Sequence, residues 1–430
     1  MVLKNKWMAA VALATMSLLT AACGSSTPTT SSGTVTLTLW HNYGTEANAT
    51  ATVNLVNAFE KLHPNIKIKV VSQPASNYFS LFQAASISHT GPDLAVQWTG
   101  LFTLQYQQFL ANLEQYIPKS QLEQMNGIQW TAPNFNINKG AYVVPLENQF
   151  YIGFYNKQMF AKAGISSPPQ TWTQLFQDCQ KLKAAGYTPL LYGSGSQNLG
   201  AEFYPYYDFS YMMIGQYSLA QWKGLYTGQI PWTSPAIVSQ VDKWVQLYKD
   251  GYTNKDVLTN INSLGEFEQG KAAMLIKGNW DAAVLEQKMG SNLGVFVPPY
   301  SNTPIHGVVE FAGDGFAMTK YSQHKPQAIE FLKFMMTPQA QQIIANAGLI
   351  PDLKGYSPSN ALDRAMLQFG NEGYTKYPML DNVTQPEVVT AASKVLDAAL
   401  GGATTVQAAL QNMQQTLQQL PASRRSSTYQ

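Results

Sequence analysis

Two cysteines, three arginines and few charges of either sign set the first limits on this chain of 430 residues. With only Cys23 and Cys179, the disulfide framework that staples small secreted domains is excluded. Cys179 falls in the series Trp172, Leu175, Cys179, Leu182. That helical spacing makes it a small core hydrophobe rather than a reactive thiol. Arginine occurs only at Arg364, Arg424 and Arg425. It is the preferred fork for carboxylate and phosphate, so its scarcity argues for a neutral polar ligand over a strongly anionic one. Lys and Arg number 27 against 25 Asp and Glu, which leaves no basic excess for binding nucleic acid. The chain has no P-loop, no fixed-period repeat, and no apolar run after the first twenty residues long enough to cross a bilayer.

The N-terminus does carry an apolar run. Lys4 and Lys6 precede the apolar-plus-small stretch Trp7 to Leu19, and Ala21-Ala22-Cys23 follows. This is the basic, apolar and small-residue order of an export signal. The site is similar to the lipobox of bacterial lipoproteins, in which the cysteine becomes lipidated, although Thr20 stands where that pattern has Leu. The expectation is a signal over 1–22, lipidation at Cys23, and a tether over 23–33, whose Ser, Thr, Pro and Gly cannot bury a core. Removing residues 1–22 takes Lys4 and Lys6 and leaves 25 basic against 25 acidic residues.

The fold begins at Thr34. Alternation in Thr34-Val35-Thr36-Leu37-Thr38-Leu39-Trp40 predicts a strand, and Val53, Val56, Phe59 and Leu62 predict a helix. Strands at 66–71 and 93–97 follow, with a helix at 76–87 between them. This βαβαβ order implies an α/β fold with a mostly parallel sheet flanked by helices. A second block repeats the grammar, with strands at 141–144, 150–155, 189–192, 272–276, 293–297 and across 307–319. Its helices are expected at 171–185 and 281–288, and Val406, Leu410, Met413, Leu417 and Leu420 mark a last one.

Ligands of open parallel sheets bind beyond the carboxyl ends of the strands. The first strand ends in Trp40, His41 and Asn42, with Glu46 just beyond, and the third ends in Gln97 and Trp98. Both place an indole beside amides and hydroxyls, a mixture that suits the C–H faces and hydroxyls of a sugar. Further candidates of the same chemistry are Glu147, Glu202, Tyr204, Trp232, Trp280, Gly313 and Asp314. Packing, caps and turns are the competing structural uses of each.

Several segments together carry a family resemblance: Leu37-Thr38-Leu39-Trp40, Gly91-Pro92-Asp93-Leu94, Phe154-Tyr155-Asn156-Lys157-Gln158-Met159-Phe160, Ala163-Gly164-Ile165, Pro168-Pro169-Gln170-Thr171-Trp172 and Gly278-Asn279-Trp280. In this order they resemble the extracellular solute-binding proteins of ABC sugar importers, the maltose-binding-like family 1. The resemblance implies two lobes, 34–143 plus 299–350 and 144–298 plus 351–430, with crossings near Val143-Val144-Pro145, Pro298-Pro299 and Ile350-Pro351. It also implies a carbohydrate in the cleft, delivery to membrane permease subunits with a separate ATPase, and a monomer without catalytic residues, cofactor or metal. It makes Asp93 structural. Rival readings are a secreted glycoside hydrolase, which would need two carboxylates at a set separation, a ferric-ion binder using Tyr206-Tyr207, and a polyamine or peptide binder.

Overall fold

The strand β1, Val35–His41, forms where alternation predicts it, with Leu37 and Leu39 fully buried. A computed structural model supplies the coordinates and describes residues 33–44, 47–193, 204–356, 358 and 360–426. The expected signal and Cys23 lie outside the described residues, as do Glu46 and Glu202. The helix after β1 spans Ala47–Leu62 and buries Ala51, Leu55, Val56 and Phe59. Val53 and Leu62, expected on that face, are 46% and 54% exposed. The helix starts earlier than its apolar residues suggest, and the i, i+4, i+8 series from Ala51 sets the buried stripe instead.

The chain continues through β2 (Ile66–Ser72), β3 (Leu94–Trp98), β4 (Val144–Pro145), β5 (Asn148–Asn156), β6 (Thr188–Leu190), β7 (Ala272–Gly278), β8 (Leu293–Phe296), β9 (Gly307–Ala312), β10 (Asp314–Met318) and β11 (Thr375–Tyr377). One sheet has the order β2-β1-β3-β10-β4 and the other β11-β9-β5-β7-β6, with β8 also on β5. Each sheet carries its own core. Leu39, Leu55, Phe59, Val96 and Phe316 belong to the first, and Phe154, Trp172, Trp244 and Leu275 to the second. Cys179 is buried in the second core, and desolvation pushes its thiol far up.

The α/β architecture with two sheets is as expected, but the sheets are mixed rather than mostly parallel. β1 pairs in parallel with β2 and β3, whereas β10 runs antiparallel to β3 and β4. β5 runs antiparallel to β7, β8 and β9. The reason is the crossing strands. β4–β5 leaves the first sheet for the second, β9–β10 returns, and two strands joined this way must oppose each other in both sheets. The second passage therefore falls at Gly313, not at Pro298-Pro299. Residues 299–312, expected in the first lobe, carry β9 of the second sheet. A third passage lies beside them, with Leu349 in the first core, Ile350 in the second, and Glu147 bridged to Pro351.

Trp232 also differs from its expected place. It is fully buried in the second core, its ring 5.8 Å from that of Phe209, and its backbone N–H donates to Gln414 Oε1 at 2.8 Å. Trp232→Phe is expected to cost about 1–2 kcal/mol of stability in denaturant unfolding, the scale of an ordinary core truncation, while ligand affinity stays unchanged.

Candidate functional site

Between the two sheets lies a cavity lined by Asn42, Tyr43, Asn48, Trp98, Gln149, Tyr151, Tyr207, Trp280, Gly313, Asp314, Met379, Asp381 and Asn382. Its volume of about 80 Å³ is below the ~300–1,000 Å³ of a typical ligand site.

The first sheet supplies one wall from its strand ends. Asn42 and Tyr43 follow β1. Trp98 ends β3, and because β10 runs the other way its first residue, Asp314, sits opposite Trp98. The Trp98 ring meets Phe79 and Phe102 edge-on, both at 4.8 Å, which fixes its orientation. His41 is buried beneath this wall. Its Nδ1 accepts the Tyr43 N–H at 3.2 Å, and desolvation lowers its pKa. Burial, then Asp314 and Glu147, push the Tyr43 phenol well up. Asn42 Oδ1 and Asn48 Oδ1 are buried without a hydrogen-bond partner.

The other wall is aromatic. Trp280 meets Tyr151 and Tyr207 edge-on at 6.1 and 6.0 Å, and the two tyrosine rings lie 4.4 Å apart. The sequence Gly278-Asn279-Trp280 builds this corner. Asn279 Oδ1 accepts the Phe150 N–H at 2.9 Å and its Nδ2 donates to the Asn148 carbonyl at 3.2 Å, which stitches the end of β7 to β5. A Cβ on Gly278 would sit 2.1 Å from the Trp280 ring, so only glycine lets the indole fold over the strand end. Lys277 beside it is spent on Asp281 at 2.5 Å, both side chains 5% exposed. The Tyr151 hydroxyl donates to Asp381 at 2.6–2.7 Å, and burial raises the Asp381 carboxyl to about 6.

The strands that pass between the two sheets form the floor. Glu147 Oε1 accepts from Asn48 Nδ2 and, at 2.9 Å, from Gln149 Nε2. A Cβ on Gly313 would fall 1.5 Å from Gln149 Oε1, so glycine at this passage lets the two crossing strands approach.

Of the residues expected at a site, Asn42, Trp98, Trp280, Gly313 and Asp314 line this one cavity. Glu147, His41 and Gln97 are buried behind its surface, and Trp40 packs on the first core with its carbonyl accepting from Tyr78 at 3.3 Å. Tyr204 opens the helix Tyr204–Ile214, and Trp232 lies in the second core. Asp93 accepts the Thr38 N–H at 2.9 Å and the Ser322 hydroxyl at 2.6 Å, a tie between β1 and the turn after β10. The lining residues Asn48, Tyr151, Met379, Asp381 and Asn382 were not expected, and Tyr43, Gln149 and Tyr207 lie in or beside segments that were. Period-two alternation from Gln149 points to Tyr151. Nothing local points to Asp381, which long-range packing brings in. Tyr206 and Tyr207 part company, Tyr207 into the cleft and Tyr206 into the core. Among the described residues no three His, Cys, Asp or Glu side chains gather closely enough to hold a metal ion, and no helix is long and apolar enough to cross a membrane.

The chain is similar to several known proteins. The chain is 27% identical over 376 residues to an uncharacterised ABC transporter extracellular-binding protein of Pyrococcus horikoshii, covering 81% of this chain and 79% of that one. It is 24% identical over 339 residues to the multiple sugar-binding protein of Streptococcus mutans, covering 76% and 77%. Its fold matches that of a chitin oligosaccharide binding protein with a TM-score of 0.78 at 22% identity, covering 89% of this chain and 98% of that one. Residues 43–342, more than half of the chain, match the model of the bacterial extracellular solute-binding proteins, and the chain belongs to that extracytoplasmic family.

Proposed function

We propose that this protein captures a carbohydrate between its lobes and delivers it to the permease of an ABC importer. The observation that carries the reading is the convergence on one interlobe cavity of aromatic faces from both sheets with the unpartnered acceptors Asn42 Oδ1 and Asn48 Oδ1. Sugars offer C–H faces to rings and hydroxyl donors to such acceptors. The names of its relatives, a multiple sugar-binding protein and a chitin oligosaccharide binding protein, point the same way. Among the described residues no Lys, Arg or His lines the cavity, which disfavours a phosphorylated or acidic sugar. The protein acts by binding and lobe closure rather than by chemistry on the sugar. It works as a monomer, tethered to the outer face of the cell membrane through lipidated Cys23, and a separate ATPase supplies the energy.

The test is a thermal-shift screen with malto-, xylo-, chito- and raffinose-type sugars. A bound sugar at ~100 times its Kd adds about 2.7 kcal/mol, a rise of several degrees. Absence of a shift with every sugar sinks the reading, and sugar turnover would transfer it to the hydrolases.

A further inference from the structure

The hydrogen-bonding groups around the cleft are unevenly spent. Several of the donors are spent inside the protein. The Tyr151 hydroxyl donates to Asp381, and Asn382 Nδ2 donates to the Gly313 carbonyl at 3.3 Å. The side-chain amides of Asn48 and Gln149 both donate to Glu147 Oε1. An oxygen that accepts from both sets which way the two amides face. With their NH₂ groups turned onto Glu147, Asn48 and Gln149 are left with carbonyl oxygens to offer. Asn48 Oδ1 and Asn42 Oδ1 are buried and unpartnered, and Asp314 and Asp381 add two carboxylates to the lining.

Among the described residues the lining contains no cation. Lys277, close behind Trp280 at 6.0 Å from its ring, is neutralised by Asp281. Among the described residues Asp381 enters no ion pair, and its bonds come from a neutral phenol and from backbone N–H groups. Buried carboxylate without a counter-charge is costly. A hydroxyl answers an acceptor with one proton but brings its own lone pairs. A protonated amine brings three donors, no acceptor, and the missing charge. The aromatic faces of Trp98, Trp280, Tyr151 and Tyr207 also favour a cation.

We infer that the sugar taken by this cleft carries a protonated primary amine, as in glucosamine and its β-linked oligomers, with the ammonium held by Asp381 and the fixed carbonyl oxygens. This rests on the carbohydrate reading above, and it replaces the neutral sugar expected from arginine scarcity with a cationic one.

Calorimetric titration of the full folded chain near neutral pH tests it, comparing the glucosamine tetramer with its fully N-acetylated counterpart, which has the same ring and linkage but no charge. Maltotetraose and xylotetraose serve as neutral controls. The amine-bearing tetramer is expected to bind at least 10-fold more tightly than the N-acetylated one. Asp381→Asn is expected to cut the ratio of the two affinities to a few-fold or less. Equal or tighter binding of the N-acetylated or another neutral sugar overturns the inference and leaves the carbohydrate reading standing. Binding of no sugar overturns both. Should Asp381→Asn not fold, the comparison on the unaltered protein decides alone.

Discussion

The melting temperature of the ligand-free protein is expected to rise as the pH is lowered from about 8 to about 5. Four buried carboxyl groups carry the effect. Burial raises Asp208 from 3.8 to about 7, Asp363 and Asp381 to about 6, and Asp352 well above its ordinary value. Asp208 lies in the second core, where the hydroxyls of Tyr300 and Tyr192 donate to Oδ1 and Oδ2 has no partner. Asp352 has neither oxygen partnered and is pushed further up by Glu310 and Glu147.

Between its unfolded and folded pKa each of these groups keeps a proton in the native state that the unfolded chain releases. The stability so gained is full below the unfolded value and is lost as pH rises through the folded one. For Asp208 the full shift corresponds to about 4 kcal/mol, of which about 3 kcal/mol is lost between pH 5 and 8, enough to lower the melting point by a few degrees. His41 works the other way, since its lowered pKa contributes stability above 6.5 that is lost on acidification, but it is one group against four. Calorimetric melts at pH 5, 6, 7 and 8 check the direction. Asp208→Asn, which cannot ionise, should flatten the upper part of the profile. A melting point that climbs steadily to pH 8 would show these acids to be ionised in the fold.

Much of the framework that positions the cleft is legible in local sequence, and the reasons are physical. The alternation of β1 is a period-two signal that survives folding because one face of the strand is buried, and the run ending in Trp98 reads as a short apolar strand buried on both faces. The spacing of Trp172, Leu175, Cys179 and Leu182 does the same for a helix, and all four are buried on Trp172–Ala184. Gly278-Asn279-Trp280 is readable because its glycine and asparagine have local jobs.

The misreadings arise where tertiary context decides. Val53 and Trp232 look equivalent in sequence to residues with the opposite fate, since which apolar face is covered depends on partners far along the chain. The sheet change at Gly313 lies inside a continuous strand-like stretch, so nothing in composition marks it. Met379, Asp381 and Asn382 reach the cleft from the C-terminal third of the chain, and no period predicts that return.

Loss of the Trp280 ring is expected to weaken binding of the carbohydrate that gives the largest melting shift by about 100-fold. Trp280 stands where the wall of the second lobe is built, half-buried and edge-on to both Tyr151 and Tyr207. Truncating a large aromatic anchor at the centre of a desolvated site commonly costs 2 kcal/mol or more, and 2.7 kcal/mol corresponds to about 100-fold. The loss should appear chiefly as faster release, since related complexes differ mainly in dissociation rate.

Trp280→Ala alone leaves open whether the corner has collapsed, so a second substitution separates contact from scaffold. Gly278→Ala keeps the indole but drives a methyl into it, at a site where a Cβ would meet three ring atoms within 2.3 Å. It should displace the ring and reproduce most of the affinity loss with all the aromatic surface still present. Trp40→Ala removes an indole that packs on the first core and does not line the cavity. It should lower stability while moving affinity by no more than a few-fold. If Trp280→Ala and Trp40→Ala weaken binding equally, the indole after β7 is not the sugar platform, and the aromatic wall must act through Tyr151 and Tyr207 instead.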